Sequence, residues 1–597
     1  MKILLYCVHD HANAGIRSLG AWLKQHGHEV RLVFLGSVHG LRVDTSIREN
    51  YFAEAQLTDD FTLIIHTGHI NIPEPDLDFP IPESFLALVN TWQPDLIGYS
   101  GRSILNNYFK DWFPRLKKIA PMAHLTCGGY GPSLDPHIYL DRGADSVIRG
   151  EGENALLSLV SALEKGEAWQ GINNVVYRGA GGRLVYNAMG TPIRNLDSLP
   201  FPMFHDGGIY LVRGNELLEE DPLPHGNVDV VMTRGCIGNC GYCSAVHWRS
   251  MYENVHCKMP KYRYPSNDKL LEMLKFHKSH GAKQFYIKDD FFIRPYTVLK
   301  DFLARYKREI DLPFDCYPNL DLLQHHPDIL EDFYQAGMSA LNLPIQSADD
   351  DLNRNVFNRH SDFDAIVKLA ADAAERFIPF HTHFIDGMVF EGHDPDRLLA
   401  ANMEFLKRLP PLHPGFPALT NFHSSYLRVH KDSPLSRKGF IQRMDVAAFF
   451  RRGMFLLFRY LMPDREYDAF AHTWQSKSPE PLLNLFLQYR HNLHTRYMLE
   501  KAQEYAGRDI LIWGGGDVYR NRRQYLLGMK PVAIVSDIPV PQKIIDGIAV
   551  RDLKKSIEET GYLPIFICIR NAMACARKLK AMFPDYPNEL IIGYGIY

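Results

Sequence analysis

The chain has 597 residues, and its 66 lysines and arginines nearly balance its 69 aspartates and glutamates. This length exceeds one ordinary hydrophobic core, so several domains are expected. The balanced charge offers no basic excess for a nucleic-acid partner, and no apolar stretch approaches a membrane span. The short apolar N-terminus does not resemble a signal peptide, and nine cysteines without pairing logic favour a reduced, cytoplasmic setting.

Residues 1–200 alternate predicted strands and helices, which favours a parallel sheet covered by helices on both faces. An insertion is expected within 41–79, where part of the sequence lacks periodicity. Because ligands bind beyond the carboxyl ends of parallel strands, the loops between strands and helices should converge on one site, at 9–15, 100–103, 128–132 and 150–153. Buried strands are predicted at 2–8, 28–35, 62–66, 95–100, 124–127 and 145–149.

A cysteine motif opens the second predicted domain, which spans 204–432. Cys236, Cys240 and Cys243 have C-x3-C-x2-C spacing and follow an apolar run that predicts a buried strand. Thiolates are the usual ligands of iron–sulfur clusters, and three of them leave one iron of a four-iron cluster open to another ligand. Three nearby glycines let the loop wrap closely around such a cluster. Zinc binding and chance clustering are the alternatives.

Repeated strand–helix units in 204–432 predict an incomplete TIM-like barrel, with its chemistry at the carboxyl ends of the strands. A helix is predicted from Ser266 or Asn267 to about His280. Asp289 and Asp290 directly follow one predicted strand, which makes them candidate site residues. The predicted strands of this region after the cysteine motif are 283–288, 314–318, 340–346 and 381–387, and a helix is predicted at 395–409.

The cysteine motif resembles that of the radical S-adenosylmethionine (SAM) enzymes. Cys236, Cys240 and Cys243 match the cluster triad of that family, and Tyr242 matches its aromatic residue before the third cysteine. The resemblance implies a 4Fe–4S cluster whose open iron is chelated by the amino and carboxylate groups of SAM. Reduction of the cluster would then cleave SAM to methionine and a 5′-deoxyadenosyl radical.

Two later segments extend this resemblance. Asp289 and Asp290 resemble the family's region that contacts the SAM amino group, in a D-D-x-F form instead of the widespread G-G-E form. The segment 345–360 resembles a family segment that lies around SAM. The resemblance therefore implies SAM contacts for Gln346, Ser347 and Arg359.

The first domain resembles the cobalamin-binding domain that precedes many radical SAM domains. The resemblance rests on DLIGYSGRS, CGGYGP and ADSVIRGEGE, followed by the linker LDSLPFP. It lacks a D-x-H-x-x-G motif, so no histidine is expected on the lower face of the cobalt. A flavodoxin-like domain that has lost its ligand is the alternative. The residues implied to contact cobalamin are Ser100, Arg102, Gly128, Gly129, Gly150 and Glu151.

Two further regions follow the barrel. Residues 433–505 are predicted to be helical and to cover the barrel mouth. Residues 506–597 resemble a small Rossmann-like domain, in which Gly514 and Gly516 match two fingerprint glycines and Tyr519 occupies the third position. Asp537 ends the next strand, where a carboxylate can bind a ribose. Nucleotide binding and a structural or partner-docking role both remain open for this domain.

The complete prediction is an α/β chain with a flavodoxin-like or Rossmann-like cobalamin-binding domain (1–200), a partial (β/α)6 radical SAM barrel (204–432), a helical segment and a C-terminal Rossmann-like domain. The predicted activity is methyl transfer to an unactivated carbon, or to a phosphinate-like centre, of a small molecule. The expected electron donor is an external protein such as flavodoxin or ferredoxin, and no catalytic residue is assigned. The alternatives are cobalamin-dependent rearrangement, cyclisation or ring contraction, a cobalamin or redox sensor, and a scaffold for a biosynthetic complex.

Overall fold

The structure is a computed structural model. No helix among the described residues is long and apolar enough to cross a bilayer. The described residues are 1–8, 10, 12–35, 56–57, 62–65, 68–71, 80–101, 111–223, 226–253, 261–289, 292, 294–386, 388–411, 413–416, 420–426, 442–443, 452–453, 456, 459, 462, 466–470, 479–539, 541, 543–569 and 572–594.

A nine-stranded sheet forms the N-terminal domain. Its six central strands are parallel, and antiparallel strands close both edges. The central strands are continuous apolar runs because helices cover both faces, which confirms the predicted fold class. In spatial order the strands are Leu184–Tyr186, Val175–Arg178, Ser146–Ile148, His124–Gly128, Leu96–Ser100, Lys2–Val8, Glu29–Leu35, Ile209–Arg213 and Glu216–Leu218.

The helices of this domain pack on both faces of the sheet. Asn13 caps the first of them, because its side-chain oxygen accepts the Ile16 amide at 3.0 Å. The helices are Ala14–Gln25, Glu83–Trp92, Trp112–Ile119, Tyr130–Leu134, Pro136–Asp141 and Glu153–Lys165, with short 3₁₀ turns at Ala180–Gly182 and Leu196–Ser198.

The N-terminal sheet extends further along the chain than predicted. The strand Ile209–Arg213 pairs in parallel with Glu29–Leu35, and Glu216–Leu218 folds back on it. The predicted boundary at 204 differs from this arrangement, since it assigns the hairpin to the barrel. Short strands flanked by polar residues carry no signal for the sheet that they join, which is why the sequence pattern misplaces them.

The second nine-stranded sheet is the barrel wall. Six of its strands form the parallel β/α series that the sequence predicts. Their outward side chains, including Phe285, Phe314 and Leu341, pack against helices in one apolar core. The six strands are Asn227–Val230, Gln284–Ile287, Phe314–Cys316, Met338–Gln346, Phe380–Asp386 and Thr420–Tyr426.

The insertion of the N-terminal domain completes this second sheet. Gly68–Asn71 pairs in parallel with Thr420–Tyr426, and the antiparallel strands Thr62–Ile65 and Gln56–Leu57 follow it. The strand predicted at 62–66 is therefore present, but its assignment to the first sheet is wrong. Apolar alternation identifies a strand, and only long-range pairing decides which sheet receives it.

Helices and two small sheets surround the barrel strands. Arg234–Gly235 pairs with Tyr262–Arg263, and Met388–Val389 pairs with Gln442–Arg443. The helices are Ser244–Glu253, Asn267–Ser279, Tyr296–Glu309, Leu320–His325, Pro327–Ala336, Phe363–Glu375 and Pro395–Leu406, with a π-helical turn at Leu352–Val356 and the long helix Pro479–Glu504 after the barrel.

The C-terminal domain has a six-stranded sheet that docks on the amino ends of the barrel strands. Arg577 Nη1 donates to the Ser339 carbonyl at 2.9 Å, near the start of the strand Met338–Gln346. Phe377, which precedes the next barrel strand, joins the apolar core of the domain. The domain therefore lies opposite the carboxyl ends where barrel chemistry is expected. Its strands in order are Ile544–Ile545, Ile548–Asp552, Lys530–Ser536, Asp509–Trp513, Ile565–Ile567 and Ile591–Gly593, and its helices are Asp517–Arg522, Leu553–Thr560 and Ala572–Met582.

A buried histidine between the N-terminal linker and the barrel predicts acid sensitivity. His277 is 1% exposed, packs on Phe204, and has no hydrogen-bond partner on either ring nitrogen among the described residues. Burial lowers the pKa of His277 from 6.5 to about 4. The unfolded chain therefore takes up a proton near pH 6.5 that the folded chain resists, so stability is lost as the pH falls from about 6.5 towards 4.

Replacing this histidine by leucine should reduce that loss. We expect His277→Leu to lower the difference in unfolding free energy between pH 7 and pH 5 by about 2 kcal/mol, because leucine takes up no proton. Urea unfolding at the two pH values measures this difference. The exposed His26→Leu variant is the control, and an equal pH dependence in wild type and His277→Leu would contradict the prediction.

Candidate active site

The loop of Cys236, Cys240 and Cys243 follows the barrel strand Asn227–Val230. All three cysteine side chains are partly exposed. A Cβ placed on Gly238 would lie 3.4 Å from Cys236 Sγ and 3.8 Å from Cys240 Sγ, so two sulfurs converge on this point. Three thiols of one loop, with glycine between them, fit the three protein ligands of a 4Fe–4S cluster.

Arg249 lies on the helix that follows the triad and holds the cluster loop through hydrogen bonds. Its guanidinium donates to the carbonyls of Cys236 at 2.8 Å and Gly238 at 3.0 Å, and to Asn239 Oδ1 at 2.5 Å. The residue is 7% exposed. One buried side chain thus fixes three oxygens of the loop, and sequence reasoning missed it because a lone arginine on a helix carries no motif.

The π-helical turn after the strand Met338–Gln346 supports the other side of the loop. The Gly241 amide donates to the Phe357 carbonyl at 2.8 Å, and Asn358 Nδ2 donates to the Asn239 carbonyl at 2.9 Å. Arg359 Nη1 lies 3.4 Å from Tyr242 Oη. The structure therefore brings the predicted pair of Tyr242 and Arg359 together beside the cysteines.

The other predicted SAM residues lie at the carboxyl ends of two further barrel strands. Asp289 is 4% exposed, and its Oδ1 accepts the amides of Met232 at 2.6 Å and Thr233 at 3.0 Å. This contact orders the segment that leads into the cluster loop. Asp290 lies outside the described residues.

Gln346 and Ser347 end the strand Met338–Gln346. The pairing register shifts at Gln346, whose backbone φ is +64°. This value lies in the left-handed region that residues other than glycine rarely adopt. Ser347 is buried, and its Oγ accepts the Asp349 amide at 3.1 Å. Strained backbone at the carboxyl end of a barrel strand is typical of ligand sites.

A cavity of about 680 Å³ lies between the N-terminal domain and the barrel. On one side it is lined by the predicted cobalamin residues Ser100, Gly128, Gly129, Gly150 and Glu151. Its opposite wall is the segment 229–236, which includes the first cysteine of the triad. Arg102 lies outside the described residues.

Two glycines of this wall, Gly129 and Gly150, have no room for a side chain. Gly129 has a φ of +89°, and a Cβ there would lie 2.8 Å from the Gly101 carbonyl oxygen. The backbone of two loops therefore meets at the carboxyl edge of the sheet, where a flat macrocycle can approach closely. This cradle fits cobalamin.

The inner face of the barrel is polar. Asn342 Nδ2 donates to Asp315 Oδ1 at 2.6 Å, and His383 Nε2 lies 3.0 Å from Asn342 Oδ1, so the contacts cross three adjacent strands. Burial raises the pKa of Asp315 to about 6. Ordinary barrels fill this space with branched apolar side chains, so the polar set indicates a site for hydrogen-bonding groups.

The predicted nucleotide residues of the C-terminal domain have internal partners. Asp537 Oδ2 pairs with Lys578 at 2.5 Å, and its Oδ1 accepts Trp513 Nε1 at 3.3 Å. A Cβ on Gly514 would lie 2.6 Å from Ile569, and Gly516 precedes a helix of only six residues. Asp537 therefore has two side-chain partners within its own domain.

Comparison with known sequences matches both main domains. The sequence model of the radical SAM superfamily matches residues 230–400, and that of the B12 binding domain matches residues 63–160. An uncharacterized methyltransferase of Pyrococcus horikoshii, PH0819, is 28% identical over 227 residues, which are 37% of this chain and 45% of the relative. The anaerobic magnesium-protoporphyrin IX monomethyl ester cyclase of Synechocystis is 25% identical over 33% of this chain and 36% of its own length. The matches thus span less than half of each relative.

Solved structures show the same fold at low sequence identity. The radical SAM methyltransferase TsrM of Kitasatospora setae, solved with tryptophan and a SAM analogue, has a TM-score of 0.51 at 14% identity, over 73% of this chain and 76% of its own. The cobalamin-dependent radical enzyme OxsB, solved with aqua-cobalamin and SAM, has a TM-score of 0.53 at 14% identity, over 85% of this chain and 73% of its own. The cysteine triad lies in the radical SAM match and the glycine cradle lies in the B12-binding match, so the chain combines a radical SAM domain with a B12-binding domain.

Proposed function

We propose that the protein is a cobalamin-dependent radical SAM methyltransferase that acts on an unactivated carbon of a small molecule. The observation that carries the proposal is the cavity of about 680 Å³, because its walls combine the glycine loops of the B12-binding domain with Cys236. Cys236, Cys240 and Cys243 would hold a 4Fe–4S cluster, which would supply the electron for SAM cleavage, and the glycine loops would hold cobalamin, which would supply the methyl group. PH0819 and TsrM, which are both described as methyltransferases, support the same reaction.

The residues of this chain would position the three cofactors, and they fall into three groups. Cys236, Cys240 and Cys243 would hold the cluster, and Arg249 fixes the loop that carries them. Burial and hydrogen bonding of this loop limit its motion, which would keep the three thiols in place for a cluster.

Two further sets of residues would hold the organic cofactors. The residues proposed around SAM are Tyr242, Asp289, Asp290, Gln346, Ser347 and Arg359. The residues proposed around cobalamin are Ser100, Arg102, Gly128, Gly129, Gly150 and Glu151. Tyr242 and Arg359 lie against the cluster loop, while the described members of the second set line the cavity.

The substrate would enter the polar inner face of the barrel. Asp315, Asn342 and His383 offer hydrogen bonds there to a small molecule with polar groups. An external reductant such as flavodoxin or ferredoxin would reach the cluster from the outer side of its loop, where Ile237 is 43% exposed. A short path from the protein surface to the cluster suits transient docking of such a donor.

Product analysis tests the proposal. The protein is reconstituted anaerobically with iron and sulfide, with or without cobalamin, and incubated with SAM and titanium citrate. We expect 5′-deoxyadenosine in both samples and S-adenosylhomocysteine only with cobalamin. 5′-Deoxyadenosine without S-adenosylhomocysteine would favour rearrangement or cyclisation, and neither product from a cluster-loaded protein would favour a sensor.

A further inference from the structure

Four charged side chains join the N-terminal domain to the cluster loop. Glu151 and Glu153 lie where the strand Ser146–Ile148 leads into the next helix. Arg234 and Arg263 are paired in the small two-stranded sheet whose first strand leads into Cys236. We call these four residues the Arg–Glu cluster. Their side chains are between 4% and 24% exposed, so the charges are largely removed from water.

The four side chains form one continuous network. Both terminal nitrogens of Arg263 donate hydrogen bonds to the Glu151 carboxylate, and one of them lies 3.1 Å from Oε2. Arg234 contacts both carboxylates, at 2.5 Å from Glu153 Oε1 and 3.4 Å from Glu151 Oε2. Two-point contacts between guanidinium and carboxylate fix orientation as well as distance, so the network resists sliding of one domain on the other.

The two arginines need the carboxylates of the other domain. Arg234 and Arg263 are direct partners across the small sheet, and like charges in that position repel. Burial opposes ionisation of Glu153, but the adjacent Arg234 outweighs burial and lowers the pKa of Glu153. Removal of one carboxylate would therefore leave a buried positive charge uncompensated two residues before the first cysteine.

The network also borders both cofactor sites. All four side chains line the cavity that Ser100 and Gly129 line on one side and Cys236 on the other. A second contact strengthens the same junction, because the Glu151 amide donates to Tyr252 Oη at 2.7 Å. Tyr252 belongs to the helix Ser244–Glu253, which follows the triad.

We propose that the Arg–Glu cluster is a positioning device that fixes the cobalamin-binding loops relative to the cluster loop. Methyl transfer between SAM and cobalamin needs groups from two domains in register, and small misplacements slow such reactions strongly. Cleavage of SAM at the cluster needs barrel groups only. The Arg–Glu cluster should thus govern the first reaction and leave the second nearly unchanged. This inference rests on the proposed function.

The test uses Glu153→Gln, because Glu153 belongs to the Arg–Glu cluster and is not among the residues proposed to contact cobalamin. The variant is made in the full chain, loaded with iron–sulfur cluster and cobalamin and given SAM and titanium citrate. We expect the initial rate of S-adenosylhomocysteine formation to fall by about ten-fold or more in this variant. The rate of 5′-deoxyadenosine formation should stay within about two-fold of wild type, since it needs no cobalamin. Glu83→Gln is the control, because Glu83 pairs with Arg115 on the exposed surface of the same domain.

A double variant separates positioning from misfolding. Glu153→Gln/Arg234→Gln leaves no unpaired charge between these two positions, so it should recover part of the S-adenosylhomocysteine rate that Glu153→Gln loses. Hydrogen exchange on the cofactor-free protein gives a readout that is independent of activity. We expect faster exchange at 148–156 and 230–240 in Glu153→Gln, and unchanged exchange in Glu83→Gln.

The outcomes are distinct. Parallel loss of both products, or an unchanged S-adenosylhomocysteine rate in Glu153→Gln, would overturn the positioning role. A wild-type protein that forms no S-adenosylhomocysteine would refute the proposed function instead. In that case hydrogen exchange decides the remaining claim: faster exchange in both loops supports the role of the Arg–Glu cluster in holding them, and unchanged exchange overturns it.

Discussion

Gly235→Ala is expected to abolish cluster assembly. Gly235 precedes the first cysteine with a φ of +90°, and a Cβ there would lie 2.5 Å from the Lys261 carbonyl oxygen. Both the backbone strain and the contact with a fixed backbone atom disfavour alanine, by at least about 2 kcal/mol together. To remove this contact, the two strands of the small sheet that leads into Cys236 must move apart. We therefore expect little bound iron after reconstitution and a lower melting temperature of the iron-free protein.

Gly171→Ala is the matched control for this variant. Gly171 has no positive φ, and a Cβ there would meet no atom within 4 Å. This variant should bind iron and melt as the wild type does. Full iron content and the 400 nm absorbance of a cluster in Gly235→Ala would contradict the role given to the small sheet.

Arg249→Met is expected to lower cluster occupancy below about half, because three oxygen atoms of the cluster loop lose their donor. A buried acceptor without a partner costs about 1–3 kcal/mol. Methionine keeps the length and apolar contact of the side chain, so the variant removes the hydrogen bonds with little change in packing. Iron and sulfide per chain after reconstitution measure the effect.

Two companion variants make this result specific. Arg249→Lys keeps the charge but lacks the planar fork, so it should restore only part of the occupancy. Arg115→Met removes an exposed arginine and should bind iron as the wild type does. Wild-type occupancy in Arg249→Met would show that the three contacts do not organise the loop.

Local patterns in the sequence predict much of the fold. The cysteine triad and the first five of the six parallel barrel strands follow from apolar runs and motif spacing, and all of them are present. The sixth strand, Thr420–Tyr426, is predicted only as part of the barrel and not at its position. Cap and turn residues also act locally, as at Ser266, whose Oγ accepts the Lys269 amide. Such features depend on neighbours in the sequence, which is why they can be predicted.

Long-range pairing explains what the sequence does not reveal. The strand Gly68–Asn71 joins the barrel about 350 residues before its partner Thr420–Tyr426, and no local signal marks that choice. The sequence does not reveal the roles of three largely buried arginines for the same reason, because an isolated arginine resembles a surface charge until its partners are known. These residues are Arg249, Arg234 and Arg263. Sequence motifs therefore predict the candidate ligands of the site, but no motif predicts the arginines that position them.

The most direct measurement concerns whether both cofactors occupy neighbouring sites in one molecule. Electron paramagnetic resonance of cob(II)alamin in the anaerobically loaded protein reports this through magnetic coupling to the reduced 4Fe–4S cluster. Because the cavity is lined by both the glycine loops and Cys236, we expect stoichiometric cobalamin whose signal broadens and relaxes faster when the cluster is reduced. A cob(II)alamin signal that is unaffected by cluster reduction, or a cluster-loaded protein that binds no cobalamin, would contradict the shared site.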